Sequence, residues 1–313
     1  MSVLAAQDLT KHYGGVTAVD GISFSVEAGA VFGLLGPNGA GKTSTINMLI
    51  GLARMSSGSV TVAGSTYTGR MTSGQEHLGI VLDESNLYDE LTGIENLLFC
   101  AALYGMRRRP AEARARELLE EFSLEFAAKR PFKAYSRGMK RRLTIAAAIM
   151  HRPPILFLDE PTTGVDVASA RQIRRLLLDM NAQGTTVFLT THYIEEAERL
   201  CSRIAFLTNG RIVQEGTLSE LMRAVKWESE VEITTNAGIS EYGSILEESF
   251  PEFNVEILDE SRLRVRSPET ISLFPLLQRL DQAGAFVYEA KLVRPSLEDV
   301  FVQFTGADAG GMQ

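Results

Sequence analysis

Gly36-Pro37-Asn38-Gly39-Ala40-Gly41-Lys42-Thr43 has the residue types and spacing of a phosphate-binding loop. Its glycines let successive backbone N–H groups turn inward around a β-phosphate, and the helix that follows adds the positive end of its dipole. Lys42 brings a point charge to the β- and γ-phosphates, and the Thr43 hydroxyl is a ligand for Mg²⁺. The residues expected at the nucleotide are therefore Gly36, Asn38, Gly39, Gly41, Lys42, Thr43 and Ser44.

A second chemical motif lies downstream, where the apolar run Ile155-Leu156-Phe157-Leu158 ends in Asp159-Glu160. A strand that delivers a carboxylate beside a phosphate loop can hold Mg²⁺ through water, which is the expected role of Asp159. Glu160 is placed to accept the proton of an attacking water, a general-base role worth about 10²–10⁴ in rate. Alone, an Asp-Glu pair at a strand end is a charged loop start; after a phosphate loop, in this chain order, it is a metal and base pair.

The elements around these motifs read as an α/β fold through about residue 220, with a largely parallel sheet. Val31–Leu35 is a buried strand ending at Gly36, and Ser44–Leu52 reads as the helix leaving the loop. Ile155–Leu158 and Thr186–Thr190 are apolar on both faces, as central parallel strands are. Ile204–Leu207 and Arg211–Val213 flank Thr208-Asn209-Gly210, a hairpin signal at a sheet edge. From about 88 to 150 the pattern is helical: Thr92 with Glu95 forms a capping box for Ile94–Tyr104. Pro110–Phe122 starts with proline in its first turn. The basic triplet Arg107-Arg108-Arg109 before it is a solvated loop or a phospholipid or partner contact.

From Lys226 onward the composition shifts, with 16 acidic residues against 7 basic ones. The pattern there is strand (231–233), helix (239–250), hairpin (255–258 with 262–265), helix (271–283), strand (286–288) and short helix (297–304). That order suggests a small α+β domain of βαββαβ type. The expected division is an ATPase domain over 1–225, an accessory domain over 226–306 and a flexible Gly-rich tail over 307–313.

Across 313 residues, 45% are apolar and 22% charged, an ordinary globular composition. A formal charge of −8 and a pI near 5.2 argue against a nucleic-acid partner held by phosphate contacts. No apolar run approaches the roughly 18 residues of a membrane span, and the N-terminus lacks a signal-peptide pattern. A cytosolic location is expected, with Cys100 and Cys201 as free thiols.

Residues 1 to about 225 resemble the ATP-binding cassette family. Tyr135-Ser136-Arg137-Gly138-Met139-Lys140 resembles that family's signature motif, departing from its Leu-Ser-Gly-Gly-Gln form but keeping Ser136 and Gly138 in place. The resemblance implies that Ser136, Arg137 and Gly138, at a helix beginning near Met139, meet the γ-phosphate held by an opposing subunit. It likewise implies a subunit-bridging loop at Thr163-Gly164-Val165-Asp166, a γ-phosphate-contacting switch histidine at His192, and adenine stacking on Tyr13. Asp83 stands where the family carries a glutamine that contacts Mg²⁺, and Asp83–Tyr104 matches the segment on which a membrane subunit docks. The C-terminal part, ending in Arg294-Pro295-Ser296-Leu297-Glu298-Asp299-Val300-Phe301, resembles the extension of type-2 exporters of drugs, antibiotics, polysaccharides or sodium.

What these resemblances imply is an ATP- and Mg²⁺-dependent subunit that hydrolyses ATP as a homodimer or heterodimer. It would lie on the cytoplasmic face of the membrane and drive export through a separate permease. The competing reading is a soluble ATPase of the same family acting on ribosomes or DNA. Such members carry two cassettes with a charged linker, or a cassette split by a coiled coil, and this sequence has neither. A regulator that does not hydrolyse is disfavoured by the presence of both Glu160 and His192.

Overall fold

The computed structural model describes residues 2–71, 73–83, 87–225, 227–236, 238–293 and 295–306. Residues 84–86 of the segment Asp83–Tyr104, Lys226, Arg294 and the tail 307–313, which entered the sequence reading, lie outside them.

Two long strands, β1 (Ser2–Tyr13) and β2 (Val16–Glu27), pair antiparallel. Leu4, Ala6, Ile22, Phe24 and Val26 are buried while their neighbours are more exposed, so this sheet has one covered and one wet face. With β4 (Ser57–Val62) and β5 (Ser65–Tyr67) it runs in the order β2-β1-β4-β5.

The second sheet contains β3 (Val31–Leu35), β6 (Leu78–Val81), β7 (Ile155–Asp159), β8 (Thr186–Thr191), β9 (Arg203–Thr208) and β10 (Arg211–Gly216). Its order is β10-β9-β3-β8-β7-β6, parallel except for the β9–β10 hairpin. Asn209 and Gly210 at that hairpin have φ of 49° and 77°, the doubly positive turn that matches strand twist. Every residue of β3, β7 and β8 is buried, which accounts for their unbroken apolar character. Phe24 stacks on Phe32 at 5.3 Å and Phe32 on Phe188 at 5.5 Å, so an aromatic stack joins the two sheets.

Seven helices follow in this part of the described chain: α1 (Lys42–Leu49), α2 (Gly93–Leu103), α3 (Arg108–Glu121), α4 (Arg137–Ala148), α5 (Val167–Ala182), α6 (Ile194–Leu200) and α7 (Leu218–Ala224). Thr92 and Glu95 form both halves of a capping box at α2. Among the helix starts that differ from the sequence reading, α3 begins at Arg108 rather than Pro110, which puts Arg108 and Arg109 inside the helix rather than in a loop before it, and two more have a local cause. The first, α1, begins at Lys42 and ends at Leu49, because Gly41 at φ 105° already turns the chain into the helix. The second, α4, begins at Arg137 rather than near Met139, because Ser136 is itself the N-cap and its Oγ accepts from the Met139 N–H at 3.3 Å.

The chain divides into two units, one of Met1–Leu221 with the segment from Phe301 onward, the other of Met222–Val300. The second unit holds β11 (Ser229–Thr235), α8 (Ile239–Ser249), β12 (Asn254–Ile257), β13 (Arg262–Ser267), α9 (Leu273–Gln282) and β14 (Val287–Val293), with the sheet order β12-β13-β11-β14. Val231, Ile233, Leu263 and Val265 face a core closed by Leu246, Leu276 and Leu280. The alternate residues Glu230, Glu232, Arg264, Arg266 and Lys291 form a cross-strand ion-pair ladder. Within the first unit, Phe301 and Phe304 of the last helix, α10 (Leu297–Thr305), pack on Phe206 at 5.1 and 6.4 Å. None of the helices among the described residues is long and apolar enough to cross a membrane.

Candidate active site

Parallel strands present their carboxyl ends on one edge of the sheet, and here three adjacent ones do so together. β3 ends at the phosphate loop, β8 at His192 and β7 at Asp159-Glu160, with β8 between the other two. The Gly36 N–H donates to the Thr191 carbonyl at 3.3 Å, so the loop leaves the sheet beside β8. A Cβ at Gly36 would lie 2.2 Å from the Leu207 carbonyl oxygen, and one at Gly41 would lie 2.4 Å from that of Ala18. Glycine at these two positions is thus a packing requirement as well as a means of turning N–H groups inward.

Lys42 is buried and folds back over its own loop, donating from Nζ to the carbonyls of Gly36 at 2.7 Å and Pro37 at 3.2 Å. The same Nζ lies 3.3 Å from Glu160 Oε1. Glu160 Oε2 lies 2.8 Å from His192 Nδ1 and accepts from the Thr163 hydroxyl at 3.1 Å. His192 in turn rests against the Tyr193 ring, with centroids 4.0 Å apart. A carboxylate held between a lysine and an imidazole beside a phosphate loop is equipped to orient water and take its proton.

Asp159 faces Thr190 across the β7–β8 pair, and the Thr190 hydroxyl donates a short hydrogen bond to its Oδ1. Burial pushes the Asp159 carboxyl above the usual carboxylate range, against the opposing bonds from Thr190 and Thr43. Asp159, Thr43 and Asp83 offer hard oxygen donors, the type Mg²⁺ prefers. The described residues contain no cluster of three or more His, Cys, Asp or Glu side chains suited to hold a metal. An ion bound here would be held by one or two protein oxygens and completed by substrate phosphates and water.

These residues line one cleft of about 360 Å³. Its wall includes Asn38, Gly39, Gly41, Lys42, Thr43 and Ser44 from the loop, Asp159, Glu160, Thr163 and His192 from the strand ends, and also Asp83 and Ala18. Gly36 contributes its carbonyl to Lys42 from behind the wall. Tyr13 is absent from the wall; its half-exposed ring at the end of β1 lies 4.6 Å beneath Lys11 Nζ.

Ser136, Arg137 and Asp166 stand elsewhere, exposed at the starts of α4 and α5 and away from the cleft wall. A Cβ on Gly138 would lie 2.1 Å from Ser169 Oγ, and one on Gly164 would lie 2.8 Å from Arg137 Nη1. Asp166 caps α5, accepting from the Ser169 N–H at 2.9 Å and its hydroxyl at 2.7 Å. The start of α4 and the loop 162–166 therefore pack as one patch.

Sequence reasoning passed over four contributors. Thr190 and Thr163 bond the two carboxylates, and their hydroxyls were hidden among strand and loop residues. Glu196 on α6 is buried and accepts from the Thr162 hydroxyl at 2.7 Å, with burial pushing its carboxyl up. A fourth, Arg141, sits in the run Lys140-Arg141-Arg142, which reads in sequence as solvated charge, yet it is buried. The signal for it was a charge inside the buried face of an amphipathic helix.

Residues 19–163 match the family model described as ABC transporter. The chain is 37% identical over 307 residues to the linearmycin resistance ATP-binding protein LnrL of Bacillus subtilis (strain 168), covering 97% of this chain and 98% of that protein. It is 38% identical over 309 residues to the Nod factor export ATP-binding protein I of Burkholderia orbicola (strain AU 1054), covering 96% of each. Among solved structures it is similar to the ATP-binding cassette MJ0796, described as a dimeric post-hydrolysis state bound to ADP and Pi. That similarity has a TM-score of 0.63 at 26% identity, covering 69% of this chain and 98% of the other.

Proposed function

This chain belongs to the ABC transporter family, in the branch of export and resistance systems, and on that premise we propose how its residues divide the work. It is an ATP-binding subunit that hydrolyses ATP with Mg²⁺. In our reading the loop 36–43 and Lys42 hold the phosphates, Thr43 and Asp159 hold Mg²⁺, and Glu160 takes the proton from water that His192 helps to orient. Tyr13 stacks on the base, and Asp83 acts at the metal through water.

Two copies, identical or paired with a related subunit, meet head to tail. The patch of Ser136, Arg137, Gly138 and Asp166 on each then faces the γ-phosphate bound by the other. The packing of Gly138 against Ser169 and of Arg137 against Gly164 supports treating that patch as one contact surface. A separate membrane permease docks on Asp83–Tyr104, where Tyr88, Leu103 and Tyr104 are exposed apolar side chains. The chain then works at the cytoplasmic face of the membrane and powers export.

The observation that carries the catalytic reading is the Glu160 carboxylate, bridging Lys42 at 3.3 Å and His192 at 2.8 Å. Glu160→Gln keeps the shape and removes the basic oxygen, so turnover should fall at least about a hundredfold while ATP still binds. The variant should also accumulate as an ATP-bound dimer, measurable by size-exclusion chromatography with light scattering. ATPase activity near that of the unaltered protein would remove Glu160 from the role.

A further inference from the structure

Arg141 lies in the second turn of α4 and is only 9% exposed. A guanidinium has five N–H donors in a rigid plane and no acceptor, so a buried one must find five oxygens. It finds them all on the backbone, from two segments far apart in sequence. Nε donates to Pro161 O at 3.0 Å. Nη1 donates to the carbonyls of Leu82 and, at 3.4 Å, Asp83. Nη2 donates to the carbonyls of Asp159 and, at 2.8 Å, Glu160. The carboxylates of Asp83, Asp159, Glu196 and Glu160 surround it with negative field, which opposes the effect of burial on its charge.

The fork closes where the backbone most needs holding. Glu160 has φ 50°, a left-handed conformation that a residue with a side chain keeps only when its surroundings over-determine it. Its N–H is held by the Thr190 carbonyl at 3.1 Å, and its C=O by Arg141. Both peptide groups flanking the unusual φ are therefore fixed, one from β8 and one from α4.

We propose that Arg141 is a positioning residue for hydrolysis: from α4 it clamps the Glu160 backbone so that the carboxylate stands between Lys42 and His192. The proposal rests on the reading of Glu160 as the base. The same fork holds Leu82 and Asp83, so the entry to the segment proposed to meet the permease shares an anchor with the catalytic carboxylate. Displacement of α4, whose N-cap is Ser136, moves both.

The test uses the full chain with Arg141→Lys and Arg141→Gln, each alone and with Glu160→Gln. Lysine keeps the charge but offers three donors from one point, and glutamine keeps two donors without charge. ATP affinity, kcat, KM and thermal unfolding are measured for each. Both single variants should lose at least about thirtyfold in kcat, with ATP affinity within about threefold. Adding Arg141→Lys to Glu160→Gln should slow turnover no further, since the clamp acts through that carboxylate.

Near-normal kcat in either single variant overturns the proposal; rescue by lysine alone does so by showing that charge, and not the fork, is what matters. Independent losses in the double variant overturn it as well, by showing action elsewhere than Glu160. An Arg141→Lys chain that is unfolded or fails to bind ATP overturns it in favour of a purely structural role. The two readings fail separately. An active Glu160→Gln removes the base assignment, whereas active Arg141 variants beside an inactive Glu160→Gln remove only the clamp.

Discussion

Lys42 Nζ and Glu160 Oε1 face each other across 3.3 Å, both nearly buried, so the cation meant for phosphate also holds the carboxylate meant for water. A phosphate arriving at Lys42 competes with that pairing. Glu160→Gln weakens the competitor without touching the loop, so ATP affinity in this variant should equal or exceed that of the unaltered chain. Equilibrium titration of each protein with ATP and Mg²⁺ checks it. A variant that binds ATP several-fold more weakly would show that the pair assists binding instead.

His192 meets the other oxygen of the same carboxylate at 2.8 Å. His192→Ala leaves Glu160 Oε2 with the Thr163 hydroxyl and takes away a group aimed at the developing charge. A loss of about 10²–10³ in kcat is expected, with KM little changed. Steady-state ATPase kinetics at saturating Mg²⁺ decides it, and a loss confined to KM would place His192 in binding alone.

The cap of α2 gives a pH dependence of known sign. The Thr92 hydroxyl, and after it the Thr92 N–H, hold the Glu95 carboxyl below the usual carboxylate range. A depressed carboxyl contributes stability that is present above its ordinary pKa and lost as pH falls through the lowered value. Protection of the Asn96 and Leu97 amides from hydrogen exchange should therefore weaken on acidification. In Thr92→Ala that weakening should begin at higher pH; identical pH profiles in the two proteins would contradict the cap.

Phe301, 1% exposed, packs on Phe206 at 5.1 Å, so this turn of α10 belongs to the core of the nucleotide-binding unit. Phe301→Ala should cost roughly 3–5 kcal/mol, the usual penalty for an aromatic-to-alanine change in a core. Removal of 226–313 takes away the same contact and should destabilise the remaining unit comparably, while the folded fraction still binds ATP. Urea unfolding with and without nucleotide measures both effects. An unchanged midpoint for Phe301→Ala would show the packing to be inconsequential.

How much was legible followed from how local each feature is. The loop 36–43 and the run 155–160 carry their chemistry within eight residues or fewer, so type and spacing were enough. The capping box at Thr92 and Glu95 was legible for the same reason. Arg141 was not, because its partners are backbone carbonyls at 82–83 and 159–161, which carry no residue identity to read. In sequence Phe301 belongs with the accessory domain as part of its closing helix, whereas its packing partner lies far off in sequence on β9. The start of α4 moved from Met139 to Arg137 because Ser136 serves as the cap, a role a serine can fill or leave to its neighbours.

Asp83 offers the sharpest electrostatic test. It is exposed, lines the cleft with Thr43 and Asp159, and its carbonyl is held by Arg141 at 3.4 Å. A glutamine there would present a neutral oxygen to Mg²⁺. Aspartate is one methylene shorter and carries charge, so it would reach an ion held by Thr43 and Asp159 through water. Its charge would repel the γ-phosphate and attract the metal. The attraction should dominate, because a divalent cation carries twice the charge of the carboxylate and would screen the repulsion. Asp83→Asn keeps the size and removes the charge. It should raise the Mg²⁺ concentration needed for half-maximal ATPase activity several-fold, while Asp83→Gln remains active. A Mg²⁺ dependence for Asp83→Asn within about twofold of the unaltered chain would show that the charge has no role at the metal.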